Sequence, residues 1–178
     1  LHMDDLILIK PTIELEQALL IYQSEFFDSP NGIAGSSSLA DFKDISEWIH
    51  HLFLYENKET MPNKSFVPGH QYVLLRTTDN KIVGLSHLRT ELNDYLFNYA
   101  GHIGYSIAPS ERQKGYGKFI LKQTLPLTKE FEIDKVLVTC DDDNIGSAKI
   151  IEANFGILEN KQIDPTTNKL VRRYWITP

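Results

Sequence analysis

Between His102 and Leu121 the chain reads HIGYSIAPSERQKGYGKFIL, and no other stretch restricts its fold as much. Ile103, Tyr105 and Ile107 alternate with Gly104 and Ser106, the period of two that marks a strand. Pro109 ends it, because proline has no N–H to give to a ladder. Phe119, Ile120, Leu121, Leu125 and Leu127 then recur at helical spacing, with Gly115 and Gly117 at the start of the helix they predict. The first four N–H groups of a helix have no partner within it, and the macrodipole adds partial positive charge there, so the turn predicts an anion site. Without a Cβ, Gly115 and Gly117 let the backbone touch that anion closely.

Several phosphate loops use two glycines, and their spacings separate them. A Walker loop needs G-x-x-x-x-G-K and then Ser or Thr, whereas Gly117-Lys118 is followed by Phe119 and position 112 is Arg. A dinucleotide fingerprint needs a third glycine where this chain has Ile120. What remains is R-x-x-G-x-G after a strand and before a helix. This resembles the acyl-CoA-binding motif of the GNAT superfamily of N-acetyltransferases, Q/R-x-x-G-x-G/A. The wording GHIGY-I-PSER-KGYG and VLVTCD-DN-S-K-IE also resembles a bacterial subgroup of predicted acetyltransferases.

The remaining elements are read from periodicity and turn residues. Leu6–Ile9 is a buried strand, and Ile13–Phe27 is an amphipathic helix for which Thr12 offers a cap. The stretch from Ser29 to Ser38 is rich in turn residues and reads as the most flexible part. A second helix is expected from about Leu39 to Asn57. Strands Gln71–Thr77 and Lys81–Arg89 flank a Thr78-Asp79-Asn80 turn. The motif helix is expected to reach about Glu130 with a kink or break at Pro126. Lys135–Cys140 is the next strand, so a strand, helix and strand succeed one another and predict a parallel pair. A last helix, Ser147–Asn154, and a hairpin of Ile157-Leu158 with Leu170–Ile176 complete the order. That order matches the superfamily from about Leu6 to Ile176. It implies an α/β (α+β) fold, GNAT-like, with a mixed, mainly antiparallel central sheet, one parallel βαβ pair and helices on both faces.

The resemblance also implies site residues. The backbone of Gln113, Lys114, Gly115, Tyr116, Gly117 and Lys118 would bind the pyrophosphate of acetyl-CoA, with Arg112 and Lys114 adding charge. Asn144 would contact the pantetheine arm, Lys149 an adenosine phosphate, and the backbone near Ile107 the thioester. Gly104 and Ser106 would leave room beside the strand. His102 stands where many members carry a glutamate that receives the amine's proton, and Glu91 is a second candidate base. The tyrosine that many members place seven residues after the asparagine is Ile151 here, which cannot donate a proton. Tyr105 and Tyr116 are the nearby alternatives for protonating the thiolate, with Tyr105 preferred.

Composition narrows the rest. With 178 residues, 42% hydrophobic and 24% charged, the chain suits one globular domain, taken as residues 4–178 with Leu1-His2-Met3 an expression remnant ending in a start Met3. A net charge of −6 argues against a nucleic-acid binder and mildly favours a cationic amine or a peptide N-terminus as acceptor. No apolar run is long enough for a membrane span and Cys140 is the lone cysteine, so a cytoplasmic protein without disulfides is expected. Cys140 reads as a core residue in preference to an acylated nucleophile. His50 and His51 are adjacent and Asp141–Asp143 lacks a calcium-loop pattern, so no metal is expected. The expected activity is transfer of an acetyl group from acetyl-CoA to a primary amine of a small molecule or peptide, with a homodimer as candidate assembly. An acyl-CoA-binding module without transfer activity is the alternative, followed by a nucleotide-binding protein using the same loop. The acceptor is expected between the loop near Asn31–Ser38 and the C-terminal hairpin.

Overall fold

Strand β2 (Gly69–Arg76) is apolar on both faces, and the molecule is layered around it. Val73 and Leu75 point to one side, where they pack with Leu19 and Tyr22 of α1 (Glu16–Ser24) and Trp48 of α2 (Ile45–Leu54). Leu74, between them, points to the other side and meets Tyr116 and Ile120 of α3 (Tyr116–Thr124). This is the strand period of two, expressed as helices on both faces. The computed structural model describes residues 3–178; the expected remnant falls partly on Leu1 and His2, which lie outside the described residues.

The strands form two antiparallel sheets. The first runs β1 (Leu6–Ile9), β2, β3 (Lys81–Arg89), β4 (Ile103–Ile107), and the second runs β5 (Val136–Asp141), β7 (Lys169–Ile176), β6 (Ile157–Asp164). The expected parallel pair, β4 with β5, makes no ladder. The two strands are joined at one end only, where Gly101 and His102 bond to Leu137 and Val138. The Gly101–Val138 bridge is antiparallel, and the His102 N–H and ring bond Leu137 beside it. Beyond that junction they separate, and the C-terminal end of β4 opens into a cleft.

Helix boundaries differ from the periodicity in an instructive way. The second helix begins at Ile45, not near Leu39, because Asp44 adopts an extended backbone and its carboxylate accepts from the Ser46 N–H, an N-cap. Leu39–Asp41 form a separate 3₁₀ turn. Pro126 has the expected effect: α3 stops at Thr124 and Leu125–Phe131 continue as 3₁₀ helix. Helix α4 (Ile145–Ala153) is capped by Asn144, and β6 extends the final hairpin well beyond Leu158.

The Ser29–Ser38 loop is held at several points. The indole N–H of fully buried Trp48 donates to Ser36 O (3.0 Å) and the Gln71 amide donates to Gly35 O (2.8 Å). Gly35 has φ +63°, and a Cβ there would lie 2.4 Å from Gly104 O. The loop therefore rests directly on the β4 backbone, a contact only glycine permits. Among the described residues, no helix is long and apolar enough to cross a membrane.

Candidate active site

Two clefts open on either side of the Ser29–Ser38 loop. The first, about 700 Å³, lies over the N-terminus of α3 and between the end of β4 and the start of α4. Tyr105, Ile107, Arg112, Tyr116 and Asn144 reach its wall. Gln113 and Gly115 adopt φ of +64° and +85°, which turns successive amides toward the same side. Among the described residues, no hydrogen bond engages the N–H groups of residues 113 to 118. Six consecutive free donors at a helix start form an anion cradle of the kind the motif predicts.

Glu111 braces that cradle from beneath. It is buried, and its carboxylate bonds Arg76 (2.6 Å), Lys81 (2.9 Å) and Lys114 (2.9 Å), which holds it down to a pKa of about 2. Lys114, expected to add charge at the phosphates, is thus tethered to Glu111. The Arg112 Nε donates to Ile107 O (3.2 Å) and its guanidinium lies over the Phe26 ring, while Lys118 is exposed on the cleft wall. Asn144 lines the cleft, but its Oδ1 accepts the Ser147 N–H (3.1 Å) as a helix cap. Lys149 is exposed on α4 and is not among the residues lining the cleft.

Tyr105 is the notable side chain of this cleft. Its hydroxyl is the one buried side-chain polar atom among the described residues without a hydrogen-bond partner, the Ser147 hydroxyl lying near without meeting bonding geometry. Burial pushes its pKa up to about 12, so it stays protonated. Ile151 is buried in the core beside Gly156 and takes no part. The Tyr116 hydroxyl accepts from Arg76 (3.2 Å).

The space expected beside Gly104 is filled by the chain itself, while Ser106 lines the first cleft. Gly35 covers Gly104, and the Ser106 hydroxyl pairs with that of Tyr22 (2.9 Å). His102 is buried, and its Nδ1 accepts the Leu137 N–H (2.9 Å). Its ring proton therefore sits on Nε2, and the lone pair a base needs is engaged. Burial and the Arg89 charge push its pKa down to about 4. Glu91 pairs with Lys58 (2.9 Å), and neither His102 nor Glu91 is among the residues lining the two clefts. Cys140 is buried, with its thiol pKa raised to about 11.

The second cleft, about 600 Å³, contains residues the sequence did not single out. Its floor is the His87–Arg89 end of β3. Around it stand Ser37, His51, Phe66 and Tyr95. Tyr95 connects this wall to the C-terminal hairpin through Asp164 (2.6 Å). The Gln71 amide N donates to Gly35 O and Ser86 O, which fixes its Oε1 as the acceptor for Ser37 Oγ (2.9 Å) and His87 Nδ1 (3.2 Å). With its proton on Nδ1, which lies 3.2 Å from Gln71 Oε1 and 3.0 Å from Ser37 Oγ, His87 has its lone pair on Nε2, the opposite tautomer from His102. A Cβ at position 69 would sit 2.4 Å from that Nε2, so Gly69 keeps it open. Burial pushes the His87 pKa down to about 3. The one legible signal was the polar pair His87 and Arg89 two residues apart at the end of a strand whose middle, Ile82 to Leu85, is apolar or glycine. Among the described residues, no cluster of three or more His, Cys, Asp or Glu could hold a metal ion.

A family model described as an acetyltransferase (GNAT) domain matches residues 8–154. No curated protein sequence is significantly similar to the chain. Several solved structures share the fold. A ribosomal-protein-S5-alanine acetyltransferase from Vibrio fischeri has a TM-score of 0.74 at 15% identity, over 99% of this chain and 95% of that one. A dodecameric spermidine N-acetyltransferase from Vibrio cholerae has a TM-score of 0.66 at 16% identity, over 98% and 94%. A GNAT-family acetyltransferase from Bacillus anthracis has a TM-score of 0.61 at 15% identity, over 97% and 95%.

Proposed function

Because the chain belongs to the GNAT acetyltransferase family, we propose that the first cleft binds acetyl-CoA, the second binds a primary amine, and the acetyl group passes between them. The observation that carries this reading is the run of six unpartnered N–H groups at residues 113–118, in the same cleft as the unpartnered Tyr105 hydroxyl. Both are polar groups that this chain leaves for a ligand. A pyrophosphate suits the first and a sulfur or carbonyl the second. Acetyl-CoA supplies the activated thioester; the residues supply placement and proton handling.

The amides of residues 113–118 anchor the phosphates, with Arg112 and Lys118 as the cations on the wall. Tyr105 holds its proton and donates a hydrogen bond toward the leaving thiolate, the role that Ile151 cannot take. On the acceptor side His87 Nε2 accepts a hydrogen bond from the amine and aims the amine's lone pair at the carbonyl carbon. As the C–N bond forms and the C–S bond breaks, the amine loses one proton and the thiolate gains one from water. With a pKa near 3, His87 does not retain the amine's proton, which passes to water in the open cleft. Cytoplasmic acetyl-CoA and a soluble amine fit this arrangement.

Steady CoA release with a panel of amines, alongside thermal shift with acetyl-CoA, ATP and NAD, tests the reading. Acetyl-CoA at about a hundred times its dissociation constant stabilises by roughly 2.7 kcal/mol. Stabilisation by ATP or NAD and not by acetyl-CoA or CoA overturns the cofactor assignment. Binding of acetyl-CoA without release in the presence of any amine supports a binding module instead.

A further inference from the structure

The second cleft has an unusual charge distribution for an acidic chain. Arg89 lines it, half-buried, and a single side-chain hydrogen bond, Nη1 to Gly101 O (3.0 Å), engages the guanidinium. None of the carboxylates among the described residues forms an ion pair with it. Loss of water pushes its pKa down, and the Tyr95 hydroxyl is the only acidic group that registers on it. The lining contains no Asp or Glu at all. The nearest acidic side chains in sequence and space are otherwise engaged or turned out: Glu91 pairs with Lys58, Asp164 accepts from Tyr95 and Thr166, and Asp94 is exposed. Burial lowers the pKa values of His51 and His87, the two histidines on the wall.

A half-buried guanidinium that lines a cleft with most of its donors unmatched is free to bond an acceptor there. Its planar fork suits a carboxylate, which accepts two parallel bonds. A polycationic amine would meet the reverse: one fixed positive charge and no counter-ion. We propose that the second cleft takes an acceptor bearing both an amine and a carboxylate, an amino acid or a molecule of that class, with Arg89 holding the carboxylate and His87 facing the amine. This rests on the second cleft being the acceptor site of the proposed acetyl transfer. It reverses the expectation of a cationic acceptor drawn from net charge, because none of the carboxylates that make the chain acidic lines this cleft.

The test uses matched pairs that differ by a carboxylate, phenylalanine with 2-phenylethylamine and lysine with cadaverine, together with spermidine. CoA release and calorimetric binding in the presence of CoA are both read on the full chain. The carboxylated member is expected to show about 10- to 100-fold higher kcat/KM, the range of one charge-assisted pair. Arg89→Gln is expected to abolish that preference through KM with little change in kcat, and Arg89→Lys to retain part of it. Unaltered affinity for CoA and an unaltered Tm report that each variant is folded; should Arg89→Gln fail this check, the Arg89→Lys comparison decides. Equal or better use of the decarboxylated partners or spermidine overturns the proposal, as does failure of the carboxylated amines to bind. If acetyl-CoA binds and no amine elicits release, the transfer reading fails on its own, and calorimetric binding of the carboxylated amines still decides this one.

Discussion

His102 and Leu137 exchange two hydrogen bonds, the histidine N–H donating to Leu137 O (2.7 Å) and the Leu137 N–H donating to His102 Nδ1 (2.9 Å). Together with the Gly101–Val138 bridge, this is the joint from which the two sheets diverge, and it makes His102 a pin in the fold. His102→Ala is expected to leave the Leu137 N–H unsatisfied and cost about 1–3 kcal/mol. Its pH–rate profile should keep the wild-type shape. The folded pKa near 4 lies below the ordinary 6.5, so the contribution of His102 is complete above pH 6.5 and is lost as pH falls through 4. Thermal unfolding followed from pH 7 to pH 4 checks this: His102→Gln should flatten the fall.

Replacing Tyr105 by Phe separates chemistry from stability. Its hydroxyl has no partner to lose, so Tm should stay level or rise slightly. If the hydroxyl serves the leaving thiolate, kcat falls by about 100-fold or more. Paired measurements of Tm and kcat on the one variant distinguish this from a packing role, which would move Tm alone.

The rate should follow the amine, not a protein group, between pH 7 and 9. His87 and His102 have pKa values near 3 and 4, and Tyr105 near 12, leaving none of these three to titrate in that window. The profile of kcat/KM should therefore rise with the acceptor's own deprotonation. Two acceptors differing in amine pKa should give profiles displaced by that difference; coincident profiles contradict the proposed handling of the proton.

Glu111 bonds three cations from a buried position, and since Arg76 keeps Asp79 and Lys81 keeps Glu25, Glu111→Gln should cost about 1–3 kcal/mol. The carboxylate is held near pKa 2, below its ordinary 4.5. Its contribution is thus complete above pH 4.5 and disappears as pH falls through 2. Denaturant titration at pH 7 and pH 3 should show the wild-type and variant curves approaching one another at the lower pH.

At Gly35 even a methyl group is too large. Gly35→Ala places a Cβ 2.4 Å from Gly104 O at a φ of +63°, and is expected to cost about 2 kcal/mol or more. The loss should appear in Tm and in the KM of both ligands, since the loop borders both clefts.

Local chemistry was readable where one stretch of chain determines it. The 102–121 strand, turn and helix, the break at Pro126 and the Asn144 cap all follow from neighbouring residues. The helix expected from Leu39 starts at Ile45 because Asp44 caps it, a choice between two apolar-periodic registers that periodicity alone does not make. The acceptor side was not readable, for a physical reason. Whether a histidine offers a lone pair depends on which nitrogen its partner engages, and the partners of His87 and His102 are Gln71 and Leu137, 16 and 35 residues away. Likewise the missing counter-ion of Arg89 is a property of the packed neighbourhood. Net charge averages over the whole surface and says nothing about one cleft.

The contact of Gly35 with Gly104 gives the two clefts a common partition, one strip of backbone with a ligand-facing side in each. Whatever orders that strip from one side changes the free energy of ordering it from the other, and the factor by which acetyl-CoA alters acceptor affinity must equal the factor by which the acceptor alters acetyl-CoA affinity. A ternary complex is then more than the sum of two occupancies, and order of addition becomes a kinetic property written into a single strip of glycine-bearing loop.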